Sequence, residues 1–298
     1  MSTDSSKAGY ISIVGAPNVG KSTLLNSLVG ERLAIVTHKP QTTRNKILGI
    51  RTENEAQMIF LDTPGIHRTA RAKLNQRMVR RALEAINEAD LILFVADASR
   101  PLQPDEEYTI SVLAQAKRPI ILIVNKIDLV PKENLLPIID QYNTRLKPAE
   151  IFPISALQGE NMEELIPKII SYLPSSPHYY PDDALTDRST RFIVAEMIRE
   201  KVIRLTMQEL PYSTAVEIEA FKENNPNGVI RISATIFVER DSQKGILIGR
   251  GGSMLKRIGQ TAREDIEQYL GSKVFLELWV KVSKDWADNE KSLNELGY

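Results

Sequence analysis

Residues 15–23 read Gly-Ala-Pro-Asn-Val-Gly-Lys-Ser-Thr, a set of types suited to holding an oligophosphate. Gly15 and Gly20, with Ala16, Asn18 and Val19 between them, form a loop whose backbone N–H groups can turn inward on phosphate oxygens. Lys21 adds a point charge for the terminal phosphates, and Ser22 adds a hydroxyl suited to a divalent cation. Thr23 continues into a helical pattern whose N-terminus favours anions. An ordinary glycine-rich turn lacks the apolar run that precedes this loop and the helix that follows it.

Further chemistry stands at the ends of three more apolar runs. Asp62-Thr63-Pro64-Gly65 offers a carboxylate that can hold the cation through water, and a glycine N–H that can meet a terminal phosphate with no side chain in the way. Asn125-Lys126-Ile127-Asp128 places the Asp128 carboxylate where it can accept both the N1–H and the N2–H₂ of guanine, a pair of donors that adenine lacks. A polar site left facing the wrong partner discriminates by roughly 10⁴. Ser155-Ala156 brings backbone N–H groups for guanine O6. Each short motif is weak alone; their order and their placement at strand ends specify GTP over ATP.

The elements that must position these groups follow from periodicity. Candidate strands are Tyr10 to Val14, Lys46 to Thr52, Gln57 to Leu61, Leu91 to Asp97, Ile120 to Asn125 and Ile151 to Ser155, with helices between them. That alternation is the signature of an α/β domain with a mostly parallel six-stranded sheet. Leu74, Met78, Ala82 and Ile86 recur at helical spacing, so Lys73 to Asn87 covers one sheet face. Pro174, Pro177 and Pro181 break the pattern. The expected domains are therefore residues 1–173, a linker at 174–186, and a smaller α+β domain at 187–298.

In the second domain a helix carrying Val194, Ile198, Val202 and Leu205 precedes two strands. Ile230, Ile232, Ala234, Ile236 and Val238 share one strand face, and Val274, Leu276, Leu278, Val280 and Val282 share that of a third. Between them runs a helix with Leu255, Ile258, Ala262 and Ile266 on its buried stripe. Residues 245–258 contain Gly249-Arg250-Gly251-Gly252, a G-x-x-G loop between two helical segments, with Lys244, Arg250, Lys256 and Arg257 as a local basic patch. Trp279 and Trp286 are expected in the core rather than as base-stacking platforms.

Composition sets the outer limits. The 298 residues are 42% hydrophobic and 26% charged, enough apolar mass for two packed cores. With no cysteine, disulfides, thiolate catalysis and Cys-ligated zinc are excluded. Three scattered histidines give little support to a histidine metal centre. The net charge is zero, and from Pro181 onward 17 Lys plus Arg stand against 19 Asp plus Glu, so any nucleic-acid site is a local patch. The polar start and the lack of an apolar run of about 18 residues predict a soluble, cytoplasmic protein.

Across the first domain these motifs resemble the translation-factor-related P-loop GTPases. The resemblance implies Mg²⁺ bound with GTP or GDP, held by Ser22, Asp62 and a switch-loop threonine. Pro40-Gln41-Thr42-Thr43-Arg44 occupies the place of that loop; Thr43, directly before an arginine, is favoured, with Thr42 the alternative. Lys21, Thr43, Gly65 and Asn18 are then the catalytic candidates. Ile66 stands where Ras-like proteins keep a water-orienting glutamine, so the expected unassisted rate is not above roughly 10⁻⁴ to 10⁻² s⁻¹. Asn18 matches the asparagine that, in the subgroup with an apolar residue there, helps hold K⁺; a hydrogen bond within its own loop is the competing role.

The second domain resembles the type II KH fold, whose glycine loop meets the phosphates of about four unpaired nucleotides beside an apolar groove for the bases. That assigns Gly249, Arg250, Gly251, Gly252, Lys256 and Arg257 to RNA. The combination resembles a family of bacterial ribosome-assembly GTPases, which implies binding near the 3′ end of 16S rRNA, the 30S subunit as partner, a peripheral inner-membrane fraction and a monomeric state. The competing class is a GTPase whose KH-like domain docks proteins or a membrane-linked cell-cycle partner.

Overall fold

The computed structural model describes residues 6–37, 39, 42–65, 73–206, 210, 214–223 and 228–296. His38, Pro40, Gln41 and Ile66, which the sequence places in or beside the switch segments, lie outside them. The chain forms two compact units, one made of 1–34, 43–71 and 75–187, the other of 35–42, 72–74 and 188–298.

The first unit is built on six strands: β1 (Lys7–Val14), β2 (Ile47–Glu53), β3 (Ala56–Asp62), β4 (Leu91–Asp97), β5 (Ile120–Asn125) and β6 (Glu150–Pro153). Their order is β2-β3-β1-β4-β5-β6. Only β2 runs antiparallel, paired with β3; β1, β3, β4, β5 and β6 are parallel. Strands β3, β4 and β5 are buried along their whole length, as expected of a parallel sheet covered on both faces. Helices α1 (Lys21–Val29), α2 (Lys73–Glu88), α3 (Pro104–Leu113), α4 (Leu135–Leu146) and α5 (Leu165–Tyr172) supply the cover. Phe94, Leu122 and Val124 of the sheet form one core cluster with Leu113 of α3 and Tyr142 and Leu146 of α4.

Residues 174–186, expected as a linker, are hydrogen-bonded along this unit. Ala8 N donates to the Pro174 carbonyl at 3.3 Å and Ile50 N to the Leu185 carbonyl at 2.8 Å. The Gln57 carboxamide accepts from the backbone N–H groups of Tyr179 and Tyr180 and donates to the Tyr180 carbonyl. The prolines stop a helix from forming there, and the freed backbone groups find partners on the sheet instead.

The second unit comprises α6 (Thr190–Leu205), β7 (Ala215–Lys222), β8 (Ile230–Val238), α7 (Asp241–Ile248), α8 (Ser253–Leu270), β9 (Val274–Val282) and α9 (Glu290–Glu295). The sheet order is β7-β8-β9, antiparallel then parallel, with α6 and α8 packed on it and on each other. Ser189 caps α6 by accepting from Phe192 N. The helix is buried nearly all round, charged residues included. Arg199 is forked onto Glu196 at 2.6 and 2.7 Å, and Lys201 is paired with Asp265. Such burial is tolerated because each charge is matched.

One expectation is overturned. Trp286 is fully buried, but Trp279 is 60% exposed. It lies on the β9 face opposite Val274 and Val280, with Phe275, Glu277 and Lys281, so the strand's two-residue period removes it from the core.

Candidate functional site

Every guanine-nucleotide motif stands where a strand of the first unit ends. The loop at 15–20 follows β1 and opens α1; Asp62 ends β3; Asn125 ends β5; Ser155 and Ala156 follow β6. The carboxyl ends of parallel strands are where open α/β sheets place ligands.

The phosphate end is organised around α1. Ser22 Oγ donates to Asp62 Oδ2 at 2.8 Å, and the Thr43 hydroxyl lies 2.9 Å from Ser22 Oγ and 3.2 Å from Asp62 Oδ2. Thr42 faces elsewhere: its hydroxyl bonds Thr37 and the Lys39 carbonyl within the second unit, and its carbonyl accepts from Arg199. Lys21 is buried and donates to the carbonyls of Gly15 and Ala16 at 3.0 and 2.8 Å. Burial pushes its ammonium down to about 8 against the attraction of Asp62. The Asp62 carboxyl is likewise pushed up to about 6 by burial, against Lys21, Ser22 and Thr43.

Two hydroxyls and a carboxylate are hard oxygen donors that suit Mg²⁺. Asp62 Oδ1 is buried without a hydrogen-bond partner, the state of an oxygen that needs a cation or its water. The residues present therefore fit the metal. Gly65 is required by closeness: a Cβ there would lie 2.9 Å from Pro17 N and 2.8 Å from Pro17 Cγ. The turn after β3 thus rests directly on the phosphate loop.

The base end is tied to the same loop. Asn125 Nδ2 donates to the Val19 carbonyl at 2.8 Å, and Asn125 Oδ1 accepts from Ala156 N at 3.0 Å. One carboxamide thereby joins three motifs. Lys126, in the left-handed region at φ 67°, donates to the Asn18 carbonyl at 2.7 Å. Asp128 stands exposed in a single 3₁₀ turn, Ile127–Leu129. Asn18 also has positive φ, 64°, which asparagine tolerates better than most residues. Thr42, with its hydroxyl on Thr37 and Lys39, is not joined to these groups.

Sequence reasoning missed the charged group beside it. Asp97, 3% exposed at the end of β4, accepts from Lys126 Nζ at 2.6 Å and from Ser99 N and Oγ at 3.0 and 2.6 Å. Burial pushes its carboxyl up, but the donors from Lys126 and Ser99 prevail and hold it below the ordinary value. The available signal was a strand ending in Asp-Ala-Ser, a pattern typical of an Asx turn.

In the second unit the G-x-x-G loop joins α7 to α8. Gly252 sits at φ 80° with open space where a Cβ would be, a left-handed position that favours glycine and leaves the loop backbone accessible. Arg250 is exposed on it, and Lys256 and Arg257 are exposed on the start of α8. Beside the loop lies a groove of about 500 Å³ lined by Gly252, Leu255, Lys256, Arg263, Phe275, Leu276 and Leu278. An apolar floor with a cationic rim suits bases and phosphates of a single strand.

Comparisons with known proteins agree with both units. Residues 10–126 match the model of a 50S ribosome-binding GTPase family, and residues 209–287 match the KH domain family. GTPase Era of Syntrophus aciditrophicus is 52% identical over 98% of this chain and 95% of its own. GTPase Era of Staphylococcus haemolyticus is 48% identical over 98% and 97%. Among solved structures, Era in complex with MgGDPNP and nucleotides 1506–1542 of 16S ribosomal RNA superposes with a TM-score of 0.94 at 43% identity, covering 98% of this chain and 99% of that one. A variant of Aquifex aeolicus Era bound to GDP and AlF₄⁻ gives 0.92 at 42% identity, with the same coverage.

Proposed function

Because the chain belongs to the Era family of GTPases, we propose that it is a GTP-controlled switch that binds 16S rRNA near its 3′ end and assists maturation of the 30S subunit. The observation that carries the switch is the contact of Thr43 with Ser22 and Asp62, because it ties a loop residue to the site that reads the terminal phosphate. The KH groove beside Arg250, Lys256 and Arg257 supplies the RNA half of the reading.

In this proposal Gly15, Asn18, Val19, Gly20, Lys21, Ser22 and Thr23 wrap the phosphates, while Asn125, Lys126, Asp128, Ser155 and Ala156 select guanine. Ser22, Thr43 and Asp62 hold Mg²⁺, which when bound neutralises charge between the β- and γ-phosphates. Lys21 and the Gly65 N–H stabilise the charge that moves onto the phosphate oxygens as the bond to the leaving group breaks. None of these residues acts as a nucleophile; the attack is by water. Asn18 is the proposed K⁺ contact, and equal hydrolysis rates in Na⁺ and K⁺ would exclude that role. Hydrolysis is proposed to be slow without an activating partner.

No helix among the described residues is long and apolar enough to cross a membrane. The proposed location is the cytoplasm, with any inner-membrane fraction peripheral. The deciding experiment measures the affinity of the full chain, loaded with GDPNP or with GDP, for a single-stranded 16S 3′-end RNA and a scrambled control. Tighter, sequence-selective binding in the GDPNP form is expected; equal weak binding of both RNAs would overturn the RNA reading.

A further inference from the structure

Four charged residues at the edge of the nucleotide site form a chain of contacts that the motifs leave unexplained. Asp97 Oδ2 accepts from Lys126 Nζ at 2.6 Å, and the same ammonium donates to the Asn18 carbonyl at 2.7 Å. Arg100 Nε lies 3.4 Å from Asp97 Oδ2, and its far end 3.6 Å from Glu106 Oε1 and 3.5 Å from the Pro17 carbonyl. Two cations thus reach two consecutive carbonyls of the phosphate loop, and one carboxylate stands between them. Glu106 is fully buried and is itself fixed by accepting from Gln103 N at 2.9 Å, so the arrangement has a rigid far anchor.

We propose that Asp97 is a positioning residue for guanine-nucleotide binding, acting through Lys126 to lock the base-recognition turn to the phosphate loop. Lys126 and Asn18 both hold left-handed backbone, at φ 67° and 64°, a conformation that costs energy for residues other than glycine. The Lys126–Asn18 bond links those two positions directly, and the Asp97 carboxylate fixes the ammonium that makes it. A charge-assisted bond to a buried carboxylate is stronger than one between neutral groups, and its direction is set by the acceptor. Asp97 is itself held in place by the two Ser99 donors, so it orients Lys126 before nucleotide arrives. Such preorganisation lowers the cost of binding rather than that of the chemical step.

This rests on Lys126 belonging to the guanine site, and the test separates the two claims. Affinities for GDP and GDPNP, and kcat and KM for GTP hydrolysis, are measured on the full chain with Asp97→Asn, Lys126→Met and the double variant. Loss of affinity in Lys126→Met alone tests the site; the cycle tests Asp97. Asp97→Asn is expected to weaken GDP and GDPNP alike by roughly tenfold to a hundredfold and to raise KM in proportion, with kcat within about twofold. In the Lys126→Met background the same substitution is expected to change affinity by less than about twofold. Ser99→Ala, which removes one donor but leaves the Lys126 contact, is expected to bind nucleotide within about threefold of wild type. An unchanged GDP affinity in Asp97→Asn, or an equal loss in both backgrounds, would overturn the proposal. Should Asp97→Asn not fold, Asp97→Glu, which keeps the charge but displaces it by one methylene, runs the same cycle with the same two deciding outcomes.

Discussion

The hydroxyls of Thr43 and Ser22 lie 2.9 Å apart although 21 residues separate them in the chain. Thr42, one residue earlier, turns its hydroxyl to Thr37 and Lys39. Of the two threonines it is therefore Thr43 that joins Ser22 and Asp62. Thr43→Ala is expected to slow single-turnover GTP hydrolysis by roughly a hundredfold while leaving GDP affinity within about threefold. Thr42→Ala is expected to hydrolyse GTP at close to the wild-type rate. Rapid-quench measurement of phosphate release decides, and the reverse ranking would exchange the roles of the two residues.

Guanine selection is assigned to one exposed carboxylate. Asp128 sits in a 3₁₀ turn, and nothing else in Asn125-Lys126-Ile127-Asp128 can accept two donors from the base. Asp128→Asn replaces an acceptor with a carboxamide that both donates and accepts, which suits xanthine. Competition binding is expected to show the preference for GDP over XDP reversed, with at least a ~10³-fold loss of GDP affinity. Retained GDP selectivity would move base recognition elsewhere.

The strands and the motif positions were legible because both follow from short-range pattern. Apolar runs in parallel strands must be buried on both faces, and ligand groups collect at their carboxyl ends. Three features were not legible, each for a physical reason. The burial of α6 all round depends on the pairing of Arg199 with Glu196 and of Lys201 with Asp265, and the single apolar stripe of Val194, Ile198, Val202 and Leu205 carries no sign of those pairs. The docking of 174–186 depends on Gln57, a lone polar residue in a buried strand whose carboxamide meets the backbone of Tyr179 and Tyr180. The role of Asp97 depends on Lys126, 29 residues away, and no local motif encodes that pair.

Trp279 and Trp286 make that contrast measurable. Trp286 is fully buried and Trp279 is 60% exposed. Trp286→Ala is expected to cost about 3–5 kcal/mol of stability, the scale for emptying an aromatic core site, whereas Trp279→Ala should stay within about 0.5 kcal/mol. Urea unfolding provides the numbers. Acrylamide is expected to quench part of the wild-type fluorescence readily, and that accessible part should vanish in Trp279→Phe. Comparable destabilisation by the two alanine variants would contradict the placement of β9.

The division of labour between the two units has its own test. Gly251 sits at φ 59° with nothing within 4 Å of a Cβ position, so an aspartate fits sterically and pays only for left-handed backbone, which Asp tolerates better than most residues. It would set a negative charge beside Arg250 in the loop proposed to meet RNA phosphates, and like charges repel across an interface whose affinity is largely electrostatic. Gly251→Asp is expected to weaken binding of a 16S 3′-end RNA by at least about tenfold, with the largest effect at low salt because the repulsion is screened as salt rises. GTP hydrolysis in the absence of RNA should be unchanged, since the substitution lies in the second unit and the nucleotide motifs in the first. Lys21→Ala is the reciprocal variant: nucleotide binding should be lost while RNA still binds at the nucleotide-free level. Equal damage to both activities by either change would show that the two units do not divide the work.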